Sequence, residues 1–270
     1  MRKIEVEDRE YLGWFFVIAF AFSWVFWIPN ALLAQGVDFP AGLESFLSSP
    51  FNPAAFGPFV AAFVVTLLGQ GWKGVGRWLK QGIDLRFEKT WFLPIFLLLP
   101  LLFGGGILFS MLLGATESDL SVLSNPPYAL VGFFVILLTG GPLQEEFGWR
   151  GYALPRLQSR YSALTSSLVV GFFWWLWHLP AVFVPGKFMT NHLELFAALA
   201  VVLMLTSILF TWIYNRTHGS VLAAMVCHAS MNWAIWVLLP SMKVNLAIIV
   251  GWILFLALAV FFVVRSWGED

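Results

Sequence analysis

Charge is scarce in this chain: Asp, Glu, Lys and Arg make up 11% of its 270 residues, against about 25% in an ordinary soluble domain. With 60% hydrophobic residues and a mean hydropathy of +0.82, the chain carries more apolar side chains than a globular core of its length can hide, which excludes a soluble enzyme. The two signs cancel to a net charge of zero, so nothing marks a nucleic-acid partner. Cysteine is nearly absent. The single Cys227 excludes an intrachain disulfide framework and any multi-cysteine metal site.

What the chain has instead is a series of apolar runs, each near the length of about 20 residues that crosses a bilayer. They fall at Tyr11–Leu33, Pro53–Leu68, Trp91–Leu113, Tyr128–Gly140, Ala163–Val184, Leu195–Tyr214, Val221–Leu239 and Leu246–Val264. The fold class this predicts is all-α and polytopic, about eight transmembrane helices in a single unit spanning 1–270. The connections agree with that count. Thirteen of the fifteen Lys and Arg fall at the N-terminus or after even-numbered spans, and only Lys187 and Lys243 fall in the other connections. Short cytoplasmic loops hold the cations, so both termini are expected in the cytoplasm, with 1–10 as a cytoplasmic tail and the plasma membrane as the location. The stretch from Gly71 to Thr90 mixes Lys73, Arg77, Lys80, Arg86 and Lys89 with aromatic and aliphatic residues, and reads as an interfacial loop lying along an anionic leaflet. The 15 Trp and 28 Phe supply interfacial belts and lipid-facing bulk. Gly104-Gly105-Gly106 predicts a close helix approach or a kink.

Against this background the stretch from Thr139 to Arg156 stands out, because it sets Glu145 and Glu146 side by side at the end of an apolar run. Two carboxylates there oppose insertion by roughly 5 kcal/mol or more. Arg150 lies one helical turn after Glu146 and can share its charge, while Glu145 points about 100° away. One glutamate therefore reads as structural and the other as free to act. Two later spans add polar groups: His178 in span five, and His228 with Asn232, four apart on one face of span seven. Two glutamates, an arginine, two histidines and an asparagine over three helices read as a polar intramembrane site. His192 and His218, outside the spans, need no such role.

No serine, cysteine or aspartate stands partnered as a covalent nucleophile requires. Glu145 is a candidate base, His178 an imidazole to orient its water, and His228 and Asn232 are donors for an oxyanion, an inventory suited to hydrolysis by water. The same inventory makes a catalytic zinc site, with Glu145, His178 and His228 as ligands and water in the fourth position. The alternatives from other classes are a non-catalytic scaffold or immunity factor that keeps these residues as helix glue, and a proton-coupled transporter, which the lack of an internal repeat weakens.

The spacings carry a resemblance. Glu145-Glu-Phe-Gly-Trp-Arg150 matches Glu-Glu-x-x-x-Arg, Trp174-Trp-Leu-Trp-His178 matches aromatic-x-x-x-His, and His228-Ala-Ser-Met-Asn232 matches His-x-x-x-Asn. Together they resemble the CPBP family, the CAAX proteases and bacteriocin-processing intramembrane proteases, over a core at 128–233. The second motif usually begins with Phe, where this chain has Trp174. The resemblance implies a helical bundle around a conical cavity, a lipid-attached (prenylated) peptide substrate in the bilayer, water activated by Glu145 and His178, and an oxyanion held by His228 and Asn232. Glu146 and Arg150 would then hold the helix geometry, and no cofactor is required in the metal-free form of the mechanism, with zinc as the alternative.

Overall fold

The structure, a computed structural model, describes residues 11–47, 49, 52–117, 119–184, 192–239, 241 and 243–267. The tail expected at 1–10, and Lys187 with its neighbours, lie outside the described residues. Among the described residues every regular element is helical, and eight stretches are long and apolar enough to cross a membrane, one for each apolar run. The chain is an all-α polytopic membrane protein.

Helix α1 (Leu12–Ala34) packs on α3 (Gly57–Lys80), with the short α2 (Ala41–Leu47) between them in sequence. Helix α4 (Phe92–Leu112) packs on α10 (Val221–Leu238) and α11 (Leu246–Ser266), and α8 (Ala163–Trp177) packs on α9 (Leu193–Arg216). Helix α10 is the centre of the bundle. Two thirds of its span, 67%, is buried within the protein, against 22% for α1 and 28% for α11, so its polar residues face protein rather than lipid.

The sequence writes the starts of these helices in side-chain caps. Ser162 Oγ accepts from Thr165 N at 3.1 Å to open α8, Ser220 Oγ accepts from Ala223 N at 3.1 Å to open α10, and Asn245 Oδ1 accepts from Ile248 N at 2.9 Å to open α11. The glycine run in α4 serves close packing. A Cβ on Gly106 would stand 2.7 Å from the backbone nitrogen of Trp252 in α11, and Gly251 faces it with the same requirement.

Two stretches depart from the sequence reading. The second span does not give way to a loop after Leu68. Helix α3 runs on to Lys80 and bends at Gly71, whose φ of 62° and ψ of −169° leave the helical region at small cost only for glycine. A periodicity of apolar residues too weak to register as a bilayer span is here enough for an amphipathic helical turn at its edge. The fourth span is broken. It comprises α5 (Pro126–Thr139), a bend at Gly140 and Gly141, α6 (Pro142–Gly148), a π-helical turn at Trp149–Ala153 and α7 (Leu154–Gln158). Arg150 and Arg156 lie inside this element, 0% and 7% exposed, so they are not loop cations, and the charge asymmetry becomes eleven against two.

Candidate active site

Breaking a helix inside a membrane leaves carbonyls without partners, a cost of several kcal/mol each in hydrocarbon. Side chains meet that need here. Gln144 Nε2 donates to Leu138 O at 2.9 Å while its Oε1 accepts from Gly141 N at 3.2 Å, and Asn232 Nδ2 reaches across from α10 to donate to Gly140 O at 3.2 Å. Gly141 holds φ at 110°, open to glycine alone, and a Cβ there would run into Glu145 Oε1. The bend therefore sets the first turn of α6, and Glu145 with it, against α10.

The two adjacent carboxylates go to different neighbourhoods. Glu145 Oε2 accepts a hydrogen bond from the Trp174 indole N–H of α8. The carbonyl of the same Trp174 accepts from His178 Nδ1 at 2.8 Å, so one residue fixes both the carboxylate and the imidazole. His178 caps the end of α8, where Pro180 cannot continue the helix. Glu146, 0% exposed, accepts at Oε1 from Arg150 Nη1 at 3.0 Å and from His228 Nδ1 at 2.8 Å. Arg150 also donates through Nη2 to Ser207 Oγ of α9 at 3.3 Å, and its guanidinium lies 4.5 Å from the Phe210 ring centroid and 5.2 Å from that of Trp174. Charge-assisted bonds and ring faces together replace the water this cation has lost.

Glu145, His178, His228 and Asn232 line one cavity of about 590 Å³. Its remaining wall is mainly apolar, from Val131, Val135, Leu199, Leu203, Ile235 and Trp236 of α5, α9 and α10. Helix α5 makes its main contacts with α10 and α6 rather than with α9. Both imidazoles are held through Nδ1, which turns Nε2 toward other partners. That second-neighbour support is what a metal-bound imidazole also needs, yet among the described residues no three His, Cys, Asp or Glu side chains converge as a metal-holding group. His192, exposed, pairs with Glu194 at 3.1 Å, and His218 sits exposed in the turn before α10 with φ of 56°.

Four participants were not singled out in the sequence. Trp174 was read only as an aromatic in register, although an indole where a phenyl ring is usual announces an extra N–H. Ser207 adjoins Thr206 in an otherwise apolar stretch, a polar pair that marks one face of span six. Gln144 directly precedes the glutamates. Trp78, whose Nε1 donates to Phe147 O at 3.0 Å, had no signal, since its role depends on the π-helical turn that follows α6.

The bundle and its site define a class: a polytopic helical protein with a hydrogen-bonded carboxylate, imidazole and amide set sunk in an apolar interior. Residues 127–234 match the family described as type II CAAX prenyl endopeptidase Rce1-like. A protein of Methanococcus maripaludis named CAAX prenyl protease 2 is 25% identical to the chain over 225 residues, covering 81% of each. The stretch that holds the site, residues 127–234, is thus similar to the CAAX-protease (CPBP) family.

Proposed function

We propose that this protein is an intramembrane endopeptidase that hydrolyses a peptide bond of a membrane-associated, prenylated substrate near the cytoplasmic leaflet, with water as the nucleophile. The observation that carries the reading is that Glu145, His178, His228 and Asn232, brought from three spans, line one cavity whose remaining wall is mainly apolar. The similarity to a protein named CAAX prenyl protease 2 supports the same reaction class. The surplus of Lys and Arg in the even-numbered connections supports the cytoplasmic side of a plasma membrane.

The tautomers follow from the partners. A carbonyl oxygen only accepts, so His178 carries its proton on Nδ1, facing Trp174 O, and the neutral ring presents a bare Nε2. Glu145 and His178 Nε2 are then two acceptors for the two protons of one water. Glu145 takes a proton as the water oxygen adds to the scissile carbonyl, and returns it to the leaving amine when the tetrahedral intermediate collapses. The developing oxyanion needs donors. Asn232 spends one amide hydrogen on Gly140 O and keeps the other. His228 directs Nδ1–H at Glu146, so it donates through Nε2–H only as the imidazolium, with Glu146 as counter-ion. This scheme routes no step through a metal. A prenyl chain among the α5 and α9 side chains contributes about 0.8 kcal/mol per buried CH₂ and holds the peptide at the polar end.

The test is cleavage of a prenylated C-terminal peptide by purified protein in detergent or nanodiscs, read by mass spectrometry, with Glu145→Gln alongside. We expect loss of turnover in the variant with thermal stability close to that of the parent. Cleavage that persists in Glu145→Gln, or no cleavage by the parent over a panel of prenylated peptides, would overturn the assignment.

A further inference from the structure

The candidate span that contains α3 covers 31 residues, more than the bilayer asks for, and Gly71 divides it. The part beyond the bend, 72–80, has three faces. Gly74, Val75 and Trp78 are buried against the protein. Trp72 at 71%, Leu79 at 42% and, one turn on, Ile83 at 75% are exposed and share a second face with Gly76. Lys73, Arg77 and Lys80, all exposed, share a third. On a helix of about 100° per residue the apolar and basic stripes are centred about 100° apart. A helix with its apolar stripe turned from the protein and a cationic edge beside it fits a surface apolar on one side and negatively charged on the other.

The segment cannot drift from the bundle. Trp78 packs on Phe147 at a ring distance of 5.1 Å as well as donating to its carbonyl, and Gly82 lies directly under the Phe147 ring. At its far end Ser220 Oγ donates to Asp84 O at 2.6 Å, tying it to the first turn of α10. Across the bend Arg77 Nη2 donates to Gln70 Oε1 at 3.0 Å. From 72 to 89 there are five cations against Asp84 and Glu88, and Asp84 is already paired with Arg86.

We propose that residues 72–83 form a docking surface for the anionic phospholipid leaflet, with Trp72, Leu79 and Ile83 at the acyl boundary and Lys73, Arg77 and Lys80 among the headgroups. Charge complementarity selects the occupant, and the bilayer that the eight spans require is already at this edge. Because the buried face packs on α6 through Trp78 and the segment is tied to the α10 cap through Asp84, docking sets the depth of the Glu145 helix relative to the headgroups. The proposal does not rest on peptidase activity.

The test uses the full chain in nanodiscs, with Gly76→Cys carrying a nitroxide. A Cβ at Gly76 meets open space, and the single native Cys227 is fully buried and escapes labelling. Accessibility of the label to oxygen, relative to a water-soluble nickel relaxant, reads its depth. We expect that ratio to rise severalfold from phosphatidylcholine to phosphatidylglycerol discs, to fall back in high salt, and to stay flat in a Lys73→Gln/Arg77→Gln/Lys80→Gln background. Equal ratios in the two lipids, a rise insensitive to salt, or a rise produced by a soluble acidic peptide in neutral discs would overturn it. The salt arm keeps the proposal testable should the triple variant fail to fold.

Discussion

Glu146 and Arg150 form an ion pair with no exposure on either side chain, and their removal should show which of the adjacent glutamates holds the bundle together. Replacing Glu146 with Gln leaves the Arg150 guanidinium, always protonated, without the carboxylate it is bonded to, and with Glu145 as a more distant counter-charge. Such a change costs about 3–5 kcal/mol. Replacing Arg150 with Met is milder, because Glu146 keeps the His228 Nδ1–H donor at 2.8 Å and Met fills part of the space between Phe210 and Trp174. In the double variant Glu146→Gln/Arg150→Met neither charge of this pair remains to be buried without the other, and roughly 1–3 kcal/mol of the loss should return as a coupling energy. The assay is reversible unfolding in mixed micelles, run on the four proteins of the cycle. The expected order of stability is parent, then the double and Arg150→Met, then Glu146→Gln lowest. A Glu146→Gln variant within about 1 kcal/mol of the parent, or a double variant no better than Glu146→Gln, would refute the assignment of this pair as the structural one.

Trp174→Phe keeps an aromatic ring beside His228 and Phe210 and removes the N–H that Glu145 accepts, together with part of the indole's volume. A hydrogen bond to a charged group is worth about 1.5–3 kcal/mol, so kcat/KM for peptide cleavage should fall by about 10- to 150-fold with the melting profile little changed; an unaltered rate would remove Trp174 from the positioning of Glu145. Gly141→Ala forces a Cβ into a φ of 110° and against Glu145 Oε1, and should cost about 1–3 kcal/mol while abolishing turnover even in the folded fraction, as gel filtration followed by the cleavage assay can check. Dialysis against a chelator should leave the cleavage rate unchanged, and loss of activity restored by zinc would replace the metal-free scheme with one in which Nε2 of His178 and His228 bind a metal.

How much of this could be read from the residues alone depended on the range of the interaction. The spans were legible because hydrocarbon thickness dictates their length, and Glu145, Glu146, Arg150, His178, His228 and Asn232 were conspicuous because an apolar solvent penalises each of them. The facing of Glu146 toward Arg150 needed nothing beyond helical spacing. What the spacing could not supply was the bend at Gly140 and Gly141. An isolated helical wheel continues span four straight into the glutamates, whereas the break is tolerable because Gln144 serves Leu138 O and Gly141 N and because Asn232, 92 positions later in the sequence, satisfies the Gly140 carbonyl. The same limit hid Trp78, whose indole serves Phe147 O just ahead of the π-helical turn at Trp149–Ala153. A carbonyl released by an irregular turn is invisible until the turn is known. Polar side chains in this chain thus fall into those that announce themselves by cost and those that exist to satisfy irregular backbone. Asn232 belongs to both groups, with one amide hydrogen for Gly140 and one for the cavity, so Asn232→Ala should relax the bend as well as remove a donor.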